Sequence, residues 1–287
     1  MTISIADAIR EGAEILRDGG LSEGRREAGG LLQHLLGRDR TFLLAHPEQQ
    51  LTAAQLQTFR ELLRRRAAGE PLQYITAHQS FFGLDFEVAP GVLIPRPETE
   101  LLVELALETL QGSQSPRICD VGTGSGCIAI TLLHERSDAR AVAIDVSAAA
   151  LEIAKRNARR HSVAERLTFV QANCFSSLSP ADFSFDLIVS NPPYVAEDAL
   201  AGLQREVRDH EPREALAGGP DGLDVVRRLL SESVAFLKPG GHLLIEIGFN
   251  QASAVSSLLE QHSWLAKGIR PDLQGIPRVV VLQKSLA

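Results

Sequence analysis

The sequence predicts an α/β protein in which an open sheet of alternating strands and helices follows a small helical bundle. Three observations carry this. After Pro97, strand-like and helix-like segments alternate, the pattern of helices laid on both faces of a sheet. A glycine-rich turn, Gly122-Thr123-Gly124-Ser125-Gly126, joins an apolar run to a helical stretch. Before Val88, apolar residues recur at helical spacing instead.

Taken in order, Ile5, Ile9 and Ile15-Leu16 form one amphipathic stripe, and Leu31, Leu32, Leu35 and Leu36 form another that Gly37 ends. Asp39 caps a short helix that stops before Pro47, and Thr52 caps a longer one that Gly69 ends. Pro71 to Ile75 adds a further turn. The densest basic run, Arg64-Arg65-Arg66 in the helix that Thr52 caps, reads as a solvated helix face. Residues 81–88 read as a hairpin bent at Gly83, with Phe81 and Phe82 as core residues. Then come a helix over 98–110, a strand over 117–121, a helix over 128–134, a strand over 141–144 and a helix from the N-cap Ser147 to Arg160. Short strands follow at 167–170 and 185–190. Next come a helix over 223–237 stopped by Pro239-Gly240-Gly241, a strand over 242–247, a helix over 252–261 and a last strand over 278–283. Trp264 reads as core. The expected divisions are a helical domain, 1–80, a hairpin linker, 81–96, and a sheet domain, 97–287.

Two loops should face one cleft, because ligands of such sheets bind beyond the carboxyl ends of the strands. The glycines of the first fall at every second position, Gly122, Gly124 and Gly126, unlike the G-x-G-x-x-G of dinucleotide sites, and no lysine follows as in a phosphate loop. A second strand ends in Asp145, a carboxylate placed to accept from ribose hydroxyls. The other loop is Asn191-Pro192-Pro193-Tyr194 at the end of the 185–190 strand. Proline has no N–H, so this rim carries carbonyl acceptors, an amide side chain and an aromatic face, and a planar N–H₂ group fits it. Alone, Asn-Pro-Pro is a strand-ending turn; after a glycine loop it is a candidate site.

Composition narrows the classes. The 287 residues suffice for two domains, and 44% hydrophobic with 23% charged residues are ordinary globular values. No apolar run is long enough to span a bilayer, and the N-terminus lacks a signal-peptide layout, so a cytoplasmic protein is expected. A net charge of −7 argues against broad, non-specific DNA binding. Cys119, Cys127 and Cys174 read as buried thiols, and neither they nor the eight scattered histidines have metal-ligand spacing, so no metal is expected.

On these residues the chain resembles the class I methyltransferases that use S-adenosyl-L-methionine, and more narrowly the peptide chain release factor glutamine methyltransferases. The matches are Asp120-Val121-Gly122-Thr123-Gly124-Ser125-Gly126, Asp145 and Asn191-Pro192-Pro193-Tyr194. Others are Gly69-Glu70-Pro71-Leu72-Gln73-Tyr74, Leu93-Ile94-Pro95-Arg96-Pro97-Glu98-Thr99-Glu100, Glu211-Pro212, Ala215-Leu216, Asp221-Gly222-Leu223, Pro239-Gly240-Gly241 and Glu246-Ile247-Gly248. Many methyltransferases share the glycine loop, and Asn-Pro-Pro-Tyr also occurs in adenine methyltransferases; the Pro95–Glu100 segment is the sharper marker. The resemblance covers nearly the whole chain.

It implies a Rossmann-like sheet with an antiparallel final strand, S-adenosyl-L-methionine as cofactor and the Gly-Gly-Gln glutamine of release factors as substrate, with the helical bundle helping to hold that protein partner and the enzyme acting as a monomer. Asn191 Oδ1 and the Pro192 carbonyl are the expected acceptors for the glutamine amide, with Pro193 shaping the rim and Tyr194 stacking on the amide plane. Asp120, Gly122, Thr123, Gly124, Ser125, Gly126, Asp145 and Asn191 are the expected cofactor contacts. Asn173 and Cys174 stand where the family has an aspartate and a bulky residue near the adenine; Asn173 retains a carbonyl acceptor, while Cys174 cannot stack. Glu98 and Glu100 suit a helix start, and Glu246 is either catalytic or a turn cap. The competing readings are a ribosomal-protein glutamine methyltransferase, a nucleic-acid adenine-N6 methyltransferase, which needs a basic groove for a flipped base, and a non-catalytic nucleoside-binding module.

Overall fold

The computed structural model describes residues 2–260 and 264–286. Two compact units emerge: Met1–His78 with Gln204–His210, and Gln79–Leu203 with Glu211–Ala287.

The first unit contains α1 (Ile5–Asp18), α2 (Gly24–Leu36), α3 (Arg40–Ala45), α4 (Ala53–Ala67) and α5 (Leu72–Thr76). Their ends follow local chemistry. Asp39 accepts from Phe42 N at 2.8 Å, Gly37 takes φ 60° after α2, and Thr52 and Gln55 form a reciprocal capping box on α4. Ile5, Leu16, Leu31, Leu32, Phe59 and Leu63 fill the core. Arg64 lies on the solvated face read in the sequence, but the end of the basic run departs from it. Arg66 is buried, its guanidinium shared between Glu27 and Glu206, because the helix Arg205–His210 folds into this unit from 140 residues away.

The second unit opens with a hairpin, β1 (His78–Phe81) and β2 (Leu84–Glu87), turned through Phe82 and Gly83, both left-handed at φ 50° and 73°. Phe81 is buried and Phe82 packs partly buried against the same core. The sheet strands are β3 (Arg117–Val121), β4 (Arg140–Asp145), β5 (Leu167–Gln171), β6 (Phe185–Ser190), β7 (Leu237–Glu246), β8 (Trp264–Pro271) and β9 (Pro277–Lys284). They lie in the order β5-β4-β3-β6-β7-β9-β8, with the first five parallel and β9 antiparallel to both neighbours. The helices are α6 (Glu100–Thr109), α7 (Cys127–Glu135), α8 (Ala148–Arg160), α9 (Arg205–His210, in the first unit), α10 (Asp224–Phe236) and α11 (Ala252–Leu259). Strand alternation divides the core. Ile118, Leu187 and Leu244 meet α6 and α7 on one face, and Cys119, Ile188 and Leu243 meet α10 on the other.

Two elements differ from the sequence reading. β7 begins at Leu237 and runs through Pro239-Gly240-Gly241, where Phe185 pairs with Leu237 before a register shift, so those residues bend a strand instead of ending a helix. β8 was not expected. Trp264 is core, its indole N–H donating to the Leu230 carbonyl at 3.0 Å, but it begins an edge strand. The expected helix end at Gln261 lies outside the described residues. Among those described, no helix is long and apolar enough to cross a membrane.

Candidate active site

The strand order reverses between β3 and β6, and both sequence motifs leave the sheet there. Ser190 Oγ donates to the Val121 carbonyl at 2.6 Å, tying the end of β6 to the end of β3. The N–H groups of Gly122 and Thr123 both donate to the Ile144 carbonyl, at 2.8 and 2.9 Å, so the glycine loop folds over β4. A Cβ on Gly126 would lie 2.7 Å from Ile130 Cδ1 and 3.1 Å from Ala154 Cβ; its absence lets α7 and α8 approach. A Cβ on Gly124, by contrast, would meet nothing within 4 Å: the loop there faces open space. One on Gly122 would stand 4.0 Å from the Asn191 carbonyl, which puts the two motifs side by side. Pro95, Arg96, Thr99, residues 122–125 and Asn191 line the cleft between them.

Two carboxylates hold the glycine loop. Asp120 is fully buried; Oδ2 accepts from Thr123 Oγ1 at 2.7 Å and Ala129 N at 3.2 Å, and Oδ1 has no partner among the described residues. Burial pushes this carboxyl up to about 7 against the pull of those hydrogen bonds. Asp145 accepts from Gly124 N at 2.8 Å and Ser147 N at 2.9 Å, and burial raises its pKa in spite of them. Burial likewise pushes the Cys127 thiol up to about 12 and raises Cys119 and Cys174, so none of the three is a ready nucleophile.

The Asn-Pro-Pro-Tyr loop is braced from behind. Asn191 Nδ2 donates to Thr99 Oγ1 at 3.0 Å, and Pro192 is buried. The Tyr194 carbonyl accepts from Gln251 Nε2 at 3.0 Å, while Gln251 Oε1 accepts from Gly248 N at 2.8 Å. Val195 N donates to the Leu216 carbonyl, and Gly218 N to the Val195 carbonyl, each at 2.9 Å. Burial, then the Glu246 carboxylate, pushes the Tyr194 phenol up to about 12. Glu246 itself ends β7 fully buried. Burial pushes its carboxyl up to about 7, the Thr99 hydroxyl and Arg278 pull it back, and Oε2 has no partner among the described residues.

Gly122, Thr123, Gly124, Ser125 and Asn191 thus line one cleft, while Asp120 and Asp145 hold its glycine loop from outside that lining. Asn173 and Cys174 stand outside its lining. The Asn173 carboxamide oxygen, expected to be available, accepts from Arg228 Nη1 at 2.5 Å, and Cys174, at φ 50°, is packed into the core. Glu100 accepts from Phe82 N at 2.8 Å and so holds the hairpin. Reading by motif passed over Thr99, Gln251, Glu211 and Asn157. Glu211, buried, accepts from Ile94 N and Arg96, fixing the cleft's Pro95 side, and Asn157 Nδ2 donates to the Ser125 carbonyl at 2.9 Å. Thr99 and Glu211 lie in matched segments; the other two carry no local signal.

Two family models match the chain. One described as PrmC N-terminal domain matches residues 7–76, and one described as Methyltransferase small domain matches residues 97–207. The release factor glutamine methyltransferase of Nitratidesulfovibrio vulgaris is 45% identical over 89% of this chain and 87% of its own length. That of Koribacter versatilis is 45% identical over 88% and 89%. This chain belongs to the release factor glutamine methyltransferase family. Among solved structures, the hMettl16 catalytic domain shares the fold, with a TM-score of 0.59 at 18% identity over 79% of this chain and 82% of that one. As a release factor glutamine methyltransferase, the protein is an enzyme dependent on S-adenosyl-L-methionine. Its glycine loop fits that donor: the buried Asp120 Oδ1 lacks a partner among the described residues, Gly124 borders open space, and the Asp145 carboxylate bonds the Gly124 N–H.

Proposed function

We propose that the protein methylates the side-chain amide nitrogen of the glutamine in the Gly-Gly-Gln motif of peptide chain release factors. The observation that carries this reading is the Asn191 amide. Its Nδ2 is engaged by Thr99, so Oδ1 is the end left to accept from an incoming N–H, beside a proline carbonyl that has no competing N–H on its own residue. The names of the curated relatives support release factors as the substrate class.

A carboxamide nitrogen is a poor nucleophile because its lone pair is delocalised into the carbonyl. When bound, the donor supplies an electrophilic methyl carbon on a positively charged sulfur. The chain's own residues therefore act by placement and electrostatics. Asp120, Gly122, Thr123, Gly124, Ser125, Gly126 and Asp145 hold the donor. Asn191 Oδ1 and the Pro192 carbonyl accept the two N–H groups of the glutamine, aim its nitrogen and stabilise the positive charge that grows there. Tyr194 stacks on the amide plane, and Pro193 stiffens the rim. Alignment of two bound reactants lowers a barrier by on the order of 7–11 kcal/mol, enough to replace a strong base. The helical unit assists in holding the protein substrate.

Incubation with methyl-labelled donor and a mixture of release factor, ribosomal protein and duplex DNA tests the reading. Label on the release factor glutamine is the expected result, and label confined to DNA or ribosomal protein overturns it.

A further inference from the structure

Two buried groups behind the Asn-Pro-Pro-Tyr loop, Thr99 and Glu246, extend from the half-buried Asn191 and have no part yet in the proposed reaction. Asn191 Nδ2 donates to Thr99 Oγ1 at 3.0 Å. Thr99 is itself only 2% exposed, and its side-chain hydrogen bond favours the ionised form of the Glu246 carboxyl, which is 1% exposed. The three residues come from three places: the turn before α6, the loop after β6 and the end of β7. Glu246 keeps a carboxylate oxygen, Oε2, without a partner among the described residues, an arrangement that costs stability and is not needed to end a strand.

The order of donors fixes a direction. An ionised carboxylate only accepts, so the Thr99 proton points at Glu246. Thr99 Oγ1 is then left with lone pairs, and Asn191 must turn its N–H₂ end toward it. The carbonyl end, Oδ1, is thereby presented to the cleft. Were Glu246 protonated, the chain could run backwards: the carboxylic acid would donate to Thr99, Thr99 to Asn191 Oδ1, and the Asn191 N–H₂ would face the cleft. A donor there opposes the N–H groups of a substrate amide.

We propose that Thr99 and Glu246 are positioning residues that set which end of the Asn191 carboxamide meets the substrate nitrogen. This rests on the reading of Asn191 as the amide acceptor. The relay is intact when Glu246 is ionised, and burial delays that ionisation to about 7. The charged and titratable groups acting on it come from every side: Arg278 on β9, Arg96 and Glu98 before α6, Tyr194 after β6 and Cys127 on α7.

The test compares Thr99→Val, Thr99→Ser and Glu246→Gln with the wild type, measuring kcat, KM for release factor, donor affinity by calorimetry and thermal unfolding. Thr99→Val should keep the fold and donor affinity and lose kcat by about 10–100-fold, the scale at which removing a group that orients a working ligand is felt. Thr99→Ser, which restores the hydroxyl, should recover most of it. The wild-type kcat should rise with pH through about 7, and Glu246→Gln should flatten that rise. Wild-type kcat in Thr99→Val, or an unchanged pH profile in Glu246→Gln, overturns the relay. Absence of glutamine methylation by the wild type overturns the underlying functional reading instead, so the two failures are distinct.

Discussion

At the scale of single residues, the proposed chemistry turns on which end of one amide faces the cleft. Asn191 Nδ2 is held by a threonine 92 residues away in sequence, so the remaining acceptor is fixed by tertiary structure. Asn191→Ala removes that acceptor and leaves the glycine loop and its carboxylates untouched. It should lower kcat by on the order of 10²–10³-fold with donor affinity close to wild type, measured by single-turnover transfer and calorimetry. The motif residues themselves were readable in the sequence because proline and glycine have strong local meaning. Their supports were not. Gln251 and Asn157 act through side-chain bonds to carbonyls 57 and 32 residues away, and nothing in a linear pattern marks such a partner. Asn173 shows the reverse. Its carboxamide oxygen, which the sequence offers as an acceptor, receives a hydrogen bond from Arg228 on α10, 55 residues away.

At the scale of elements, strands whose apolar runs are bounded by turn residues were legible, as were helices with side-chain caps. β6 follows its sequence bounds to the residue, and Ser147, Thr52 and Asp39 each accept the N–H expected of an N-cap. β8 was not legible because it is an edge strand exposed over most of its length, with Lys267, Gly268 and Arg270 in place of an apolar alternation. β7 was cut short for another reason: Pro239-Gly240-Gly241 reads as a stop, and only pairing with β6 makes it strand. Between those strands the residues 211–223 brace the Asn-Pro-Pro-Tyr loop, and Gly222 sits tightest against that loop, at φ 77° where an added Cβ would lie 2.3 Å from the Tyr194 carbonyl oxygen. Gly222→Ala must displace that loop. Transfer should fall at least tenfold while donor affinity stays within about twofold, a split that kcat and calorimetry read directly.

At the scale of the whole molecule, two units share one discontinuous chain. The excursion that puts residues 204–210 into the first unit brings Glu206 to Arg66, a long-range contact that no local pattern announces. The sheet unit also carries a stability liability in its site. Asp120 and Glu246 hold their protons up to about 7 when folded, but near 4 when unfolded. Between those values the folded state binds more protons, so their contribution to stability is greatest at acid pH and is lost as pH rises through about 7. Glu246→Gln removes that dependence for one group. Its melting temperature should exceed the wild type's by more at about pH 8 than at about pH 5.5, as calorimetric scans at the two pH values would record. The most direct measurement of the central claim is a crystal structure with the demethylated donor product and a Gly-Gly-Gln peptide. The account predicts the glutamine nitrogen about 3 Å from both Asn191 Oδ1 and the Pro192 carbonyl, with the sulfur on its open side. A peptide whose glutamine lies outside this cleft, or an Asn191 that turns its N–H₂ end to the substrate, would contradict it.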